Sequence, residues 1–331
     1  MVQTKQPTLP ARVYACGGAG TRIALQMEKW RKQKEPGFTS VDIAYINTSE
    51  NDHIGDVSSE YIYNLKGARG SGGLRRENAA PIQKYAHEIL EQFKPHDLNI
   101  VISSGGGGSG SVIAPTLVNQ LTQKGRVVIV IMIGGTDTKQ WLNNTINTLK
   151  SYEKIAQVHQ RPVVMQYLQN ETNSKRQAID EKVRYTVSVL CALFSGQNSG
   201  LDPKDLEHWH NFPVVTEFQP QLVAFEPVHS LDELSYGGNV ISVATLVEED
   251  GNSDLPYSVE YQTIGYVPKD AAESLRVGLP VHFVTTDGLF EELGAQLNEA
   301  LDDLNRKAQA RVPRNSLLSE DDQATEANIV L

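Results

Sequence analysis

The sequence predicts an α/β protein with a Rossmann-like parallel sheet, a long central helix, a second smaller α/β domain, a long C-terminal helix and an acidic tail. Through the first two-thirds of the 331 residues, apolar strand-length runs alternate with amphipathic helical stretches. Several of these runs are apolar throughout, as strands covered on both faces are. This alternation is typical of a parallel sheet between two helical layers.

The first part of the chain supplies the strands of this sheet and the helices between them. Strands are predicted at 12–16, 41–47, 98–103, 127–135 and 162–168, with a short one at 61–65. Helical spacing of apolar residues predicts helices at 23–33, 82–93, 112–122 and 139–156.

A longer helix then separates this sheet from the rest of the chain. Ile179, Val183 and Val187 form one stripe of a helix at about 175–194, which ends at the glycines of SGQNSG. Strands are predicted at 223–226, 240–247, 261–267 and 281–285, and a last helix at 289–311. We predict a first domain at 1–174, a core helix at 175–196, a second domain at 197–286, a C-terminal helix at 287–312 and a tail at 313–331.

Composition excludes several classes of protein. The formal charge of −10 argues against direct nucleic-acid binding, because that depends on Lys and Arg at the phosphates. No apolar run is long enough for a membrane helix, and the N-terminus lacks the apolar core of a signal peptide. Two cysteines give no disulfide framework. We therefore expect a cytoplasmic protein with no membrane partner.

The segment SSGGGGSGS, at 103–111, is a predicted phosphate site. It follows an apolar strand and precedes a helix, so backbone amides and the helix N-terminus can converge on an anion. A flexible Gly/Ser linker is the alternative. No Lys follows as in a P-loop, which disfavours that class. The predicted ligands are Gly105, Gly106, Gly107, Gly108, Ser109, Gly110 and Ser111.

GGGSGS resembles the GGG[ST]G[ST] signature of the tubulin/FtsZ superfamily, and three further loops follow in the order of that family. CGGAGTR at 16–22 resembles its first phosphate loop, INTSE at 46–50 its second, and KGARGSGG at 66–73 its third, which meets the terminal phosphate. The resemblance implies nucleotide contacts from Gly17, Gly18, Ala19, Gly20, Thr21, Asn47, Thr48, Gly70, Ser71, Gly72 and Gly73.

The same resemblance places the base against the long central helix. It implies that Asn170 and Asp180 lie near guanine. Arg176 departs from the family, since it stands where bacterial relatives have an aromatic residue, but its planar guanidinium can stack on the base. Asp137 and Asn144 are candidates for ribose contacts in a segment that matches the family only loosely. A carboxylate accepts from both the ring N–H and the exocyclic amine of guanine, a donor pair that adenine lacks. GTP is thus preferred to ATP. Alternatively, Asp180 is an acid that interacts with the helix dipole.

The resemblance also implies a catalytic pair in GLDPKDLEHW, at 200–209. Asp202 and Asp205 match the two acids that reach the nucleotide of the neighbouring subunit, where they position the attacking water and help to hold a cation. A helix of about 20 residues spans about 30 Å, so these acids cannot readily reach their own phosphate loops. GTPase activity then requires head-to-tail filament assembly. The alternative is that Asp205 caps the next helix.

The cofactors implied are GTP or GDP and Mg²⁺, with the ion held mostly by phosphates and water rather than by a protein metal site. The chain resembles most the bacteriophage tubulins of the PhuZ type, which implies a cytoskeletal filament that positions phage DNA in the host bacterial cytoplasm. The tail, with acids at 320–322 and an apolar end at 329–331, would contact a neighbouring subunit or simply solubilise the chain.

Three other interpretations remain open. One is a Rossmann-type NAD-dependent oxidoreductase built on CGGAG, although the strand that should end in an acid ends at Asn47. The others are a plasmid-partition-type tubulin filament and a nucleotide-binding regulator that does not polymerise.

Overall fold

The structure, a computed structural model, describes residues 10–32, 38–48, 55, 57–65, 68, 70–77, 79–170, 176–235, 237–251, 258–275 and 278–309. The predicted tail lies outside these residues, as does most of the segment 49–56. The strands are β1 (Ala11–Cys16), β2 (Val41–Asn47), β3 (Ile62–Asn64), β4 (Asn99–Ser104), β5 (Val128–Gly135), β6 (Val163–Asn170), β7 (Leu222–Val228), β8 (Val240–Glu248), β9 (Tyr261–Val267) and β10 (Val281–Thr286).

Eight α-helices connect these strands within the described residues. They are α1 (Gly17–Leu25), α2 (Ala79–Gln92), α3 (Gly110–Gln123), α4 (Lys139–His159), α5 (Arg176–Leu193), α6 (Pro203–His210), α7 (Lys269–Leu275) and α8 (Leu289–Gln309). Among these residues, no helix has both the length and the apolar character that crossing a bilayer requires.

All ten strands belong to one sheet, in the order β3-β2-β1-β4-β5-β6-β7-β10-β8-β9. The strands from β3 to β7 are parallel. β10 is antiparallel to both of its neighbours, and β8 pairs with β9 in parallel. The direction of the chain along the sheet reverses at β1, so the crevice between β1 and β4 is the switch point where α/β proteins bind ligands.

Alternate residues of the buried strands pack into two separate hydrophobic cores, one on each face of the sheet, as the continuous apolar runs predicted. On one face, Val13, Ile43 and Ile131 pack with α1, α5 and α6. On the other face, Tyr14 and Met132 pack with residues of α2, α3, α4 and α8. Since both faces are covered, the central strands are mostly apolar on both faces, with few exceptions such as Arg12 and Gln166.

The sequence predicted most elements closely, and two differ. The first helix begins at Gly17 directly after β1, and a short 3₁₀ turn at Glu28–Lys32 occupies the rest of the stretch predicted at 23–33. The glycines of CGGAG therefore form the first turn of a helix rather than an extended loop. α7 was not predicted, because its seven residues show too little periodicity.

The second half of the chain extends the sheet of the first half. β7 pairs with β6, and β10 lies between β7 and β8. Trp209 of α6 is fully buried between Phe225 and Phe283, and its indole N–H donates to the Phe283 carbonyl at 2.9 Å. This contact fixes α6 against the added strands. The division of the chain into the predicted domains stays a prediction.

His210 anchors α6 to the amino end of β5. Its Nε2 lies 3.2 Å from the Val128 amide nitrogen and 3.0 Å from the Val128 carbonyl oxygen. Burial lowers the pKa of His210 from 6.5 to about 4, so the ring is neutral in the folded protein near neutral pH. Below the pKa that His210 has in the unfolded chain, the exposed imidazole gains a proton and the buried one does not, so a lower pH favours the unfolded state.

We therefore expect stability to fall as the pH drops from 6.5 towards 4, and His210→Gln to remove this dependence. Between pH 7.5 and 5 the free energy of unfolding of the wild type should fall by about 2 kcal/mol more than that of the variant. Urea unfolding of the nucleotide-free protein at the two pH values measures the difference. Equal losses in both proteins would contradict the assignment.

Candidate functional site

The predicted phosphate loops meet at the carboxyl edge of the sheet, at the switch point between β1 and β4. The first loop starts α1 directly after β1, and the glycine-rich segment joins β4 to α3. α1 and α3 lie on opposite faces of the sheet, and their N-terminal ends come together here. Both ends carry unpaired amides and the positive end of a helix dipole, which is an arrangement suited to phosphate.

Glycines make this close approach possible. A Cβ at Gly17, where φ is +70°, would lie 2.8 Å from the Gly110 nitrogen. A Cβ at Gly110 would lie 2.7 Å from the Cys16 carbonyl oxygen, and one at Gly20 would clash with the Ile102 carbonyl oxygen. Side chains at these positions would push the two helix ends apart. These three glycines thus shape the anion site through packing.

The four consecutive glycines of the loop differ in their surroundings. A Cβ on Gly105 would collide with the Met132 side chain, and one on Gly108 would collide with Ser71 of the third loop. A Cβ on Gly106 would lie 3.2 Å from that of Trp141. A Cβ on Gly107 would meet only Ser104, at 3.9 Å. Gly107 is therefore the one among the four whose missing side chain leaves open space.

Hydroxyl groups connect the second and third loops to the glycine-rich segment at 103–111. Thr48 hydrogen-bonds to Ser109, whose hydroxyl also lies 3.2 Å from that of Ser71. The Gly70 amide donates to the Thr48 carbonyl at 2.8 Å. Asn47 is buried, and its Oδ1 accepts from the Thr48 amide at 2.8 Å. The predicted residues of these loops therefore form one polar cluster at the edge of the sheet.

Asn144 has a different place from the one that the sequence suggested. Its Nδ2 donates to the carbonyls of Gly73 and Gly106, both at 2.9 Å. The side chain is buried and ties the third loop to the glycine-rich loop. Both amide hydrogens are used within the protein, so Asn144 positions loops and has no donor left for a ribose.

The paired N-terminal ends of α1 and α3, together with the glycine-rich segment at 103–111, form a cradle. A cavity of about 240 Å³ adjoins this cradle and is lined by Gly18, Ala19, Asn170, Arg176 and Asp180. These five residues are among those predicted to contact the base and the phosphates. Residues outside the predicted set of nucleotide ligands also line it, namely Arg22, Ser104, Ile133, Gly134, Gly135, Trp141 and Ile179.

Trp141 could have been found from the sequence. It stands in the first turn of α4, where the hydroxyl of the N-cap Thr138 accepts from its amide at 3.1 Å. Asp137, one residue before this cap, is exposed and is not among the residues that line the cavity.

Asp180 lies on the inner face of α5, with its side chain 6% exposed. Its Oδ2 accepts from the Arg22 guanidinium and, at 3.1 Å, from Gln26 Nε2. Among the described residues, Oδ1 is buried without a hydrogen-bond partner. Arg22 thus pairs with Asp180 in the wall of the cavity.

Asp202 and Asp205 lie at the other edge of the sheet. Their helix, α6, is bonded through His210 to Val128 at the start of β5, whereas the Gly105 amide bonds to Ile133 near its end. The eight residues of β5 span about 25 Å. Pro203 and Leu206 line a cavity of about 370 Å³ with the first residues of the parallel strands. The structure therefore separates these acids from the cradle.

The two aspartates also shape the start of α6. Asp202, and not Asp205, takes the N-cap position, and Asp205 Oδ2 accepts from the Asp202 amide at 2.9 Å. Asp202 is exposed and Asp205 is half-buried. In the described part of the chain, no group of three or more His, Cys, Asp or Glu side chains is arranged to hold a metal ion.

Comparisons with known proteins find relatives of similar sequence. No protein-family model matches the chain. The chain is 27% identical over 322 residues to a phage tubulin-like protein of Pseudomonas phage PhiPA3, covering 97% of this chain and 98% of that protein. It is 28% identical over 331 residues to a phage tubulin-like protein of Pseudomonas phage phiKZ, covering 96% and 97%.

Solved structures agree with these sequence relatives. A protofilament of TubZ from bacteriophage PhiKZ matches with a TM-score of 0.84 and 28% identity, over 97% of this chain and 99% of that one. The GDP complex of the phage tubulin PhuZ matches the fold with a TM-score of 0.84 and 20% identity, over 98% and 100%. The chain is therefore similar over nearly its whole length to bacteriophage members of the tubulin/FtsZ superfamily.

Proposed function

We propose that this protein binds guanine nucleotides, assembles head-to-tail into filaments, and hydrolyses GTP at the junction between subunits. The observation that carries the proposal is the separation of the glycine cradle and the paired aspartates to opposite edges of one sheet. Head-to-tail stacking brings the aspartates of one molecule to the cradle of the next. The likeness to the TubZ protofilament from bacteriophage PhiKZ supports this assembly.

The cradle and the cavity suit the two parts of a guanine nucleotide. The paired ends of α1 and α3 favour the phosphates, and the cavity beside them ends at Asp180. Asp180 Oδ1 is a buried acceptor without a partner among the described residues, so a donor from a ligand would lower its free energy. The N–H groups of guanine are such donors, whereas the corresponding edge of adenine is not.

Hydrolysis would require only positioning and charge from the protein. Asp202 and Asp205 would orient the attacking water against the terminal phosphate of the neighbouring subunit. The hydroxyl oxygens of Thr48, Ser71 and Ser109 are uncharged ligand atoms, which fits a Mg²⁺ ion held mainly by phosphate and water. Such an ion supplies charge that stabilises the transferring phosphoryl group.

The phage relatives supply the biological part of the proposal. The filament would act in the cytoplasm of an infected bacterium and position phage DNA through self-association, without direct contact with nucleic acid or membrane. The tail at 313–331 would contact a neighbouring subunit. A dinucleotide oxidoreductase is disfavoured because β2 ends at Asn47, whose Oδ1 accepts from the Thr48 amide where a ribose-binding carboxylate would be required.

Asp180→Asn tests base recognition. The amide keeps one acceptor but presents N–H to the guanine amine, whereas xanthine offers a carbonyl oxygen at that position. We expect the affinity for GTP to fall at least about 10-fold, and that for xanthosine triphosphate to rise by a similar factor. Calorimetric titration with both nucleotides measures the exchange. Unchanged GTP affinity would remove Asp180 from base recognition.

Asp205→Asn tests the catalytic assignment. Asparagine retains an acceptor for the Asp202 amide, so α6 should keep its start while the charge is lost. We expect GTP-dependent pelleting to persist and phosphate release to fall at least about 100-fold. Glu207→Gln, on the same helix, removes an exposed pair with Lys204 and serves as the control, with release within about twofold of the wild type.

Concentration provides a second test of the shared site. Phosphate release per subunit should rise from near zero as the protein concentration passes the threshold for assembly. Constant release per subunit at every dilution would mean that one molecule holds a complete site. Unchanged release by Asp205→Asn in assembled filaments would exclude Asp205 from the chemistry.

A further inference from the structure

Arg75 connects the third loop to both helices behind the cradle. Its guanidinium is half-buried, and Nη2 donates to the Ser111 carbonyl and to the Ser151 hydroxyl, each at 3.2 Å. Nη1 lies 3.5 Å from the Asn144 carbonyl. Ser111 belongs to the first turn of α3, and Asn144 and Ser151 belong to α4. One side chain thus fixes the end of the third loop against both elements.

In the described part of the chain, these contacts give the charge of Arg75 no counter-ion. Among the described residues, no carboxylate lies within 4 Å of its guanidinium, and burial lowers its pKa. Arg12 and Arg31 differ, because each forms an ion pair with Asp42. The carbonyl and hydroxyl oxygens that accept from Arg75 supply no negative charge. A half-buried cation of this kind costs free energy until an anion comes near.

The neighbouring helix adds to the same positive potential. Arg75 bonds to the first turn of α3, where the dipole is positive and amides are unpaired. The third loop itself packs on the cradle, since the Gly73 carbonyl carbon lies 2.8 Å from where a Cβ on Gly108 would stand. An anion in the outer part of the cradle would therefore compensate the positive potential of the helix end and the positive charge of Arg75 together.

We infer that Arg75 is a positioning residue that sets the preference of this site for a nucleoside triphosphate over the diphosphate, because the terminal phosphate supplies the negative charge that its surroundings lack. The inference rests on the proposed nucleotide site. Arg75 acts through the third loop and through its field, since the three hydrogen bonds of its guanidinium all go to protein oxygens. A diphosphate would leave the third loop facing the cradle without that charge.

Arg75→Gln and Arg76→Gln form a matched pair for the test. Both remove one positive charge from the same loop, but Arg76 is exposed. Arg75→Lys keeps the charge and loses the planar fork. The measurements are the dissociation constants of the slowly hydrolysed analogue GTPγS and of GDP, taken by calorimetry below the assembly threshold, and the melting temperature without nucleotide.

We expect the ratio of GDP to GTPγS dissociation constants to fall at least about fivefold in Arg75→Gln and to change less than about twofold in Arg76→Gln. Arg75→Lys should keep the ratio within about threefold of the wild type, because it retains the charge. The nucleotide-free melting temperature of Arg75→Gln should be unchanged or higher, since an uncompensated buried charge is removed.

Several outcomes would overturn the inference. These are an unchanged ratio in Arg75→Gln, equal losses of affinity for both nucleotides, a wild-type protein without triphosphate preference, and a nucleotide-free Arg75→Gln that melts lower or fails to fold. The last would show a purely structural role. If the wild type binds neither nucleotide, the proposed function itself fails; if it binds both and only the ratio is insensitive to Arg75, the nucleotide site stands and this inference alone is lost.

Discussion

The close approach of two helix ends at the switch point is the constraint on which the rest of the site depends. α1 and α3 lie on opposite faces of the sheet, yet their first turns come within contact distance because Gly17 and Gly110 carry no side chain. Two positive helix ends held side by side repel one another. The packing of the two cores on the central strands offsets this repulsion, and a bound anion would relieve it.

The sheet converts this local arrangement into a molecule with two distinct ends. Buried parallel strands run from the edge that carries α6 to the edge that carries the cradle. Because the strands from β3 to β7 all run in the same direction, the loops that follow their carboxyl ends lie at one edge of the sheet. Trp209 and His210 fix α6 at the other end. The sheet is thus the rigid spacer between the cradle and the paired aspartates that the proposed head-to-tail assembly requires.

The polar contacts behind the cradle have a different purpose from those that face it. Asn144 and Arg75 direct all their observed hydrogen bonds to protein oxygens and thereby fix the third loop against the cradle. Asp180 instead keeps one oxygen beside the cavity that accepts no hydrogen bond from any described residue. The first group makes the loops rigid, and the second leaves a polar atom for a ligand. Arg22 bonds to the other oxygen of Asp180.

The sequence by itself determined the fold class, most strands and helices, and the set of loops at the carboxyl edge. It could do so because continuous apolar runs and glycine clusters report local conformation and burial. Asn170, Arg176 and Asp180 were selected through family resemblance, and the structure brings them to one cavity.

Only the tertiary structure decided which partner each polar side chain takes. The Arg22–Asp180 pair joins positions 158 residues apart, and Asn144 bonds to loops 71 and 38 residues away. The isolation of Arg75 from any described carboxylate is likewise a property of the folded chain. Such contacts follow from how strands and helices pack, because residue type and spacing along the chain do not specify which distant groups will meet.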